Sequence, residues 1–218
     1  MSQVKQIEKR IKKFLIKIGL KKPIVLPLEL SEGHLGGYVI GRPAPGTWCP
    51  EIWDWCIGEL GVRSMVDVGC GLGYVLEYFD RGGVEVLGVD GSPSAISKGV
   101  LPDRVRQHDF THGPWAPEKP YDLVWSTEFI EHVEQQYEPN FLKTFGAATK
   151  YLMITFAVPG QQGHHHVNLQ YEDYWIDRMK ELGFSYAADL TQTARELLPQ
   201  TGMRGMQFRE KGLVFKRD

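Results

Sequence analysis

Residues 66–73, Val66-Asp67-Val68-Gly69-Cys70-Gly71-Leu72-Gly73, leave this chain fewer architectures than any other stretch. The apolar run reads as a buried strand that stops in glycine-rich sequence and opens a helix. A second apolar run closes on Gly88-Val89-Asp90, which puts an acid at the end of the next strand. In an open parallel sheet, ligands collect beyond the carboxyl ends of the strands, so these two ends should share a pocket. A side chain at Gly69, Gly71 or Gly73 is expected to fill space that a bound ligand needs. The order Gly69-Cys70-Gly71-Leu72-Gly73 departs from the GxGxxG spacing of nicotinamide enzymes.

The following sequence repeats the rhythm. Strands are predicted near 65–69, 84–89, 104–108, 121–126 and 150–156, with helices at about 72–80, 93–99 and 134–148. Such alternation indicates an α/β three-layer sandwich around a mainly parallel sheet. A helix near 171–182, a strand near 184–188 and a terminal strand near 213–216 follow, giving an antiparallel C-terminal edge.

At 218 residues the chain can bury one full-sized core, read here as a main domain over 48–218 preceded by residues 1–47. Residues 4–20 set Ile7, Ile11, Phe14, Leu15 and Ile18 on one helical face among lysines. A basic amphipathic helix of this kind docks on its own domain, on an acidic partner protein or on an anionic surface. Residues 31–47 are rich in glycine and proline and serve as a lid or as a passive connector to a helix at 51–60. Trp48, Trp53 and Trp55 read as packing residues.

The net charge of −2 argues against a uniformly basic nucleic-acid surface, although residues 1–22 are strongly basic. Cys49, Cys56 and Cys70 form neither a dense disulfide pattern nor a CxxC metal knuckle, which fits a reducing cytoplasm. No uninterrupted apolar segment approaches about 20 residues, so membrane spanning is not expected.

Residues at the strand ends can be placed by role. Asp67 precedes the glycines and either fixes the loop, meets the ligand or makes a structural salt bridge. Asp90 has the acceptor-only chemistry to take two ribose hydroxyls. In His108-Asp109-Phe110, Asp109 offers a carboxylate for an exocyclic amine and Phe110 an aromatic face; the alternatives are a turn cap and a core aromatic. From about residue 48 onward the chain resembles the class I, Rossmann-like S-adenosylmethionine-dependent methyltransferases. The resemblance implies a seven-stranded sheet with an antiparallel last strand and S-adenosylmethionine as cofactor. The loop from Asp67 to Gly73 would hold its methionine end, Asp90 its ribose and Asp109 its adenine.

The fourth strand delivers Thr127-Glu128-Phe129-Ile130-Glu131-His132 to the same end of the sheet. Within one helical turn Glu128, Glu131 and His132 could converge on a divalent ion, and oxygen ligands with a nitrogen suit magnesium or manganese, with zinc a third choice. The later run His164-His165-His166 should return over this end, with His166 completing the metal site and His165 serving as a base; incidental surface histidines are the alternative. The ExxEH arrangement resembles small-RNA 3'-terminal 2'-O-methyltransferases and ubiquinone-pathway O-methyltransferases, which implies a divalent metal at Glu128, Glu131 and His132. Glu128, Glu131, His132 and His165 are thus the catalytic candidates. Tyr171, Tyr174 and Trp175 line an acceptor groove or simply pack a helix.

The leading expectation is a cytoplasmic enzyme that methylates a small molecule at oxygen. An RNA 2'-O-methyltransferase and a non-catalytic cofactor-binding partner subunit are the alternatives.

Overall fold

The computed structural model describes Leu35 and residues 43–218. The amphipathic helix expected over 4–20, and residues 31–34 and 36–42 of the glycine- and proline-rich segment, lie outside the described residues. Helix α1 (Pro50–Gly58) begins at a proline, whose fixed φ suits a first helical turn, and buries Ile52, Trp53, Trp55 and Cys56. Strand β1 (Ser64–Val68) is buried at four successive positions, as a strand covered on both faces must be. The chain then runs α2 (Tyr74–Arg81), β2 (Glu85–Asp90), α3 (Pro93–Lys98), β3 (Val105–Gln107), β4 (Tyr121–Ser126), α4 (Glu138–Phe145) and β5 (Ala148–Ile154). It continues through α5 (Glu172–Glu181), β6 (Phe184–Tyr186), α6 (Ala188–Leu197) and α7 (Met206–Lys211) to β7 (Leu213–Arg217).

The seven strands form one sheet in the order β3-β2-β1-β4-β5-β7-β6, with β7 antiparallel to both neighbours. The C-terminal strand is antiparallel as expected, but it lies one place in from the edge, which β6 occupies. Strand β7 pairs along both of its sides, with β5 and with β6, whereas β6 is three residues long and exposes Ser185, which suits an edge.

Period-two alternation splits the core into two layers. Met65, Leu123 and Trp125 face Trp53, Leu76, Phe79 and Phe208 on one side of the sheet. Val66, Val124 and Leu152 face Phe141, Phe145 and Trp175 on the other. Helices α6 and α7 do not stand out in the sequence, because α6 buries only Thr191 and Ala194 and so lacks an apolar stripe. The helix expected over 134–148 is shorter, since Pro139 starts α4 after a separate 3-10 turn at Gln135–Tyr137. Among the described residues no helix is long and apolar enough to cross a membrane.

Strands β1 and β4 are adjacent, and the strand order reverses between them, so a crevice opens beyond their carboxyl ends. The Ser126 hydroxyl donates to the Val68 carbonyl at 2.9 Å and pins the two ends together.

Helix α6 is tied to the sheet by Thr191 Oγ1, which accepts the buried Val214 amide at 2.9 Å. Thr191→Val leaves that amide without a partner and is expected to cost about 1–3 kcal/mol. Urea unfolding measures it; an unchanged midpoint would mean the amide finds another acceptor.

Candidate active site

Past Val68 the backbone turns through three left-handed glycines, Gly69 at φ 77°, Gly71 at φ 52° and Gly73 at φ 78°. The Val89 carbonyl accepts the amides of Gly69 and Cys70 at 2.9 and 3.3 Å. Asp90 accepts the Gly71 amide on Oδ2 and the Ser92 amide on Oδ1, both at 2.8 Å. The end of β2 therefore holds the loop. The three glycines meet different surroundings. A Cβ on Gly69 would lie 2.6 Å from the Phe129 ring, so packing, as well as the cleft that it lines, requires this glycine. Gly73 caps α2. Gly71 alone of the three has nothing within 4 Å of where its Cβ would stand.

Beyond the strand ends lies an open cleft. Gly69, Asp90 and Gly91 form one wall, His108 to Thr111 continue it from β3, and Glu128, Phe129, His132 and Val133 close it from β4. Four expected cofactor residues, Gly69, Asp90, Asp109 and Phe110, thus meet in one place, while Asp67, Gly71 and Gly73 are not among its lining residues. Asp109 also caps a turn, its Oδ1 accepting the amide and hydroxyl of Thr111 at 2.9 and 2.8 Å. Phe110 is both a wall of the cleft and a core aromatic, edge-on to Phe129 with ring centroids 5.6 Å apart.

Reasoning from sequence missed Leu35, whose Cδ2 would stand 2.5 Å from a Cβ on Gly91. It missed Phe129 too, although that residue sits inside the acidic motif.

Asp67 is buried at the root of the loop, and desolvation together with the neighbouring Asp90 carboxylate pushes its carboxyl well above the usual range. Burial also raises Asp90, against the opposing pull of its two amide donors.

The segment after β4 is bent by Glu128, a non-glycine residue at φ 53°, whose amide donates to Thr155 Oγ1 at 2.9 Å. Glu131 is fully buried, and desolvation followed by the charge of Glu128 drives its carboxyl well upward. Both Glu131 oxygens and His132 Nδ1 are buried without a hydrogen-bond partner. Burial, with His166 beside it, lowers His132 to about 4 and keeps its ring neutral. The rings of His132 and His166 have centroids 5.2 Å apart.

One ligand atom from each of Glu131, His132 and His166 lies within 4.8 Å of the others, the one such group among the described residues. Glu128 stands outside it, beside Glu131. His165, strained at φ 47°, turns to Glu134 with Nε2 3.4 Å from Oε1. Of the aromatic residues considered for an acceptor groove, Trp175 is core, Tyr174 bonds the buried Glu138, and Tyr171 is largely exposed.

A profile described as a methyltransferase domain matches residues 6–189, most of the chain. The chain therefore belongs to the methyltransferase family that this profile describes. It is 35% identical over 82 residues to the ubiquinone biosynthesis O-methyltransferase of Rhodopseudomonas palustris strain BisA53, covering 35% of this chain and 32% of that protein. A counterpart in Nitrosomonas europaea is 34% identical over 87 residues, 37% of each chain. The chain thus spans about a third of the length of the curated relatives it matches. Its fold resembles magnesium protoporphyrin IX methyltransferase from Synechocystis PCC 6803, solved with bound S-adenosylmethionine, at a TM-score of 0.55 and 18% identity over 77% of this chain and 76% of that one.

Two predictions follow from the loop. Gly69→Ala combines a left-handed alanine with a clash against Phe129, whereas Gly71→Ala has only the first problem. Gly69→Ala should therefore be less stable by about 1–3 kcal/mol in guanidinium unfolding. Equal losses would show that Phe129 moves freely.

For Asp67 the folded-state pKa is raised, so the native state binds a proton that the unfolded chain releases at about pH 4. Stability is then lost as pH rises from that value through the folded pKa. Asp67→Asn should melt above the parent protein at pH 7 without ligand, with the gap closing near pH 4; a lower melting temperature at pH 7 would sink this reading.

Proposed function

We propose that this methyltransferase acts on a small-molecule acceptor, at oxygen, and that Glu131, His132 and His166 form the acceptor side of its site. The observation that carries the reading is the convergence of the buried Glu131 carboxyl, with His132 Nδ1 buried beside it, on His166 where the cofactor cleft ends. Polar atoms left unpaired in a protein interior are costly, and a ligand or ion that engages them removes the cost. That the curated relatives in part of the sequence are O-methyltransferases supports oxygen as the acceptor atom.

The cleft fits the cofactor. Each Asp90 oxygen accepts one amide and retains a lone pair for a ribose hydroxyl. Asp109 and Phe110 would border the adenine, Gly71 leaves open space beside its backbone, and Asp67 would gain from a nearby cationic amine that relieves its burial. When bound, S-adenosylmethionine supplies a methyl group already activated by its sulfonium. The protein's own task is to orient an acceptor and take its proton.

Two imidazoles and one carboxylate also fit a divalent cation, manganese and zinc better than magnesium, since imidazole favours the softer ions. Such an ion would add positive charge beside an acceptor hydroxyl and ease its ionisation. Glu128 would balance the charge from the cleft wall. His165 lies outside the cluster, with Nε2 3.4 Å from Glu134 Oε1, and would act on the acceptor's proton only by turning away from that carboxylate.

The test is transfer of labelled methyl from S-adenosylmethionine into a metabolite extract and into total small RNA, with manganese, with magnesium and with chelator. Metal-dependent label in the metabolite fraction is the expected result. Label at RNA 3' ends would replace the acceptor class, and no transfer despite cofactor binding would favour a partner subunit. Asp90→Asn should weaken calorimetric cofactor affinity about tenfold, the loss of one charged hydrogen bond. Glu131→Gln should lower turnover at saturating substrate with that affinity unchanged; the reverse pattern would exchange the two assignments.

A further inference from the structure

We propose that Glu138 and Asn168 are positioning residues: a buried carboxylate–amide clamp that holds the His166 arm against Glu131. The inference rests on the reading of Glu131, His132 and His166 as the acceptor side and deepens it.

The three side chains arrive on two separate loops. Glu131 and His132 follow β4, His166 follows β5, and the ladder between these strands ends at Ser126 and Ile154. Thr155 still reaches the Ser126 carbonyl and the Glu128 amide. Further out, among the described residues, main-chain bonding between the two loops converges on one atom, the Glu131 carbonyl oxygen, which accepts the amides of Val167 at 2.9 Å and Asn168 at 3.2 Å. The two residues directly after His166 are therefore fastened to the residue that carries the buried carboxylate.

Asn168 is in turn locked from behind. Its side chain is 1% exposed; Nδ2 donates to Glu138 Oε1 at 2.9 Å and Oδ1 accepts from Gln170 at 3.3 Å. Glu138, 2% exposed, opens α4 and spends its second oxygen on α5, accepting the Tyr174 hydroxyl at 2.7 Å with Arg178 Nε at 3.5 Å. A buried carboxylate is destabilising unless several donors and a countercharge meet it, and here they come from two helices and the loop. Glu138 is not among the cleft-lining residues, so its role is exerted through Asn168. The ring of His166 is confined from the other side, lying so close over Gly163 that no Cβ fits there. Ligating or reacting groups require placement to a fraction of an ångström, which loops reach only with such support.

The test compares Asn168→Ala, Glu138→Gln and His166→Ala in the full chain. Readouts are hydrogen exchange at the Val167 amide, Mn2+ affinity by calorimetry, cofactor affinity, and kcat and KM. Asn168→Ala should speed Val167 exchange and lower Mn2+ affinity and kcat about tenfold or more, with cofactor affinity within about twofold. Glu138→Gln keeps part of the bonding and should fall between Asn168→Ala and the parent protein. If Asn168→Ala does not fold, Tyr174→Phe removes only the hydroxyl of a half-buried side chain, with its bonds to Glu138 and Gln135, and should give the same pattern in milder form. Faster exchange with unaltered kcat and Mn2+ affinity overturns the clamp, as does unchanged exchange. A neutral His166→Ala overturns instead the acceptor-side reading on which the clamp rests, while an impaired His166→Ala beside a normal Asn168→Ala overturns the clamp alone.

Discussion

The Phe129 ring lies against Gly69 with no room for a single added carbon, and this contact joins the two halves of the site. It requires the loop after β1 to expose bare backbone and the loop after β4 to aim an aromatic ring at it. Glu128 supplies the aim by taking a left-handed turn, held by Thr155 from β5's end. The ring then continues into Phe110 and Phe141, so the glycine loop, the β3 end and the support of α4 share one apolar seam. Movement in either loop is felt across this seam, because packed interiors transmit displacement.

Around the seam the protein gathers acids. Asp67, Asp90, Glu128 and Glu131 all sit at the carboxyl ends of β1, β2 and β4, and burial raises each of them. Such a concentration opposes folding when nothing cationic is near. It is the arrangement expected of a site whose electrostatics are completed by what it binds, with stability traded for function.

Legibility in the sequence followed backbone constraint. The glycine loop and Asp90 were readable because a strand that halts on left-handed positions and a neighbour that ends on an acid leave few alternatives. The place of β7 was not readable: its partners β5 and β6 are chosen by long-range pairing, which single-strand patterns do not display. Helix α6 hid because threonine and alanine, not an apolar stripe, make its contacts. In the acidic motif, the residue types were apparent but their directions were not. Helical spacing put Glu128 with Glu131 and His132, whereas a left-handed φ at Glu128 and a 3-10 turn at Ile130–His132 give the motif another shape. Which of His165 and His166 turns inward depends on the φ of 47° at His165 and on Gly163, and neither is visible in a row of histidines. Glu138 and Asn168 carried no signal, since their significance lies in each other.

The position of β7 has a consequence for the order of assembly. Strands β5 and β6 meet only across it, with Leu213 paired to Ile154 and Phe215 to Tyr186. On the ribosome, β1 to β5 can pair as they emerge, but β6 must wait with an open edge until residues 213–217 have been made. Translation thus leaves the insertion of β7 between β5 and β6 to the last, and a pause before β7 would leave the two strand edges that it joins facing solvent.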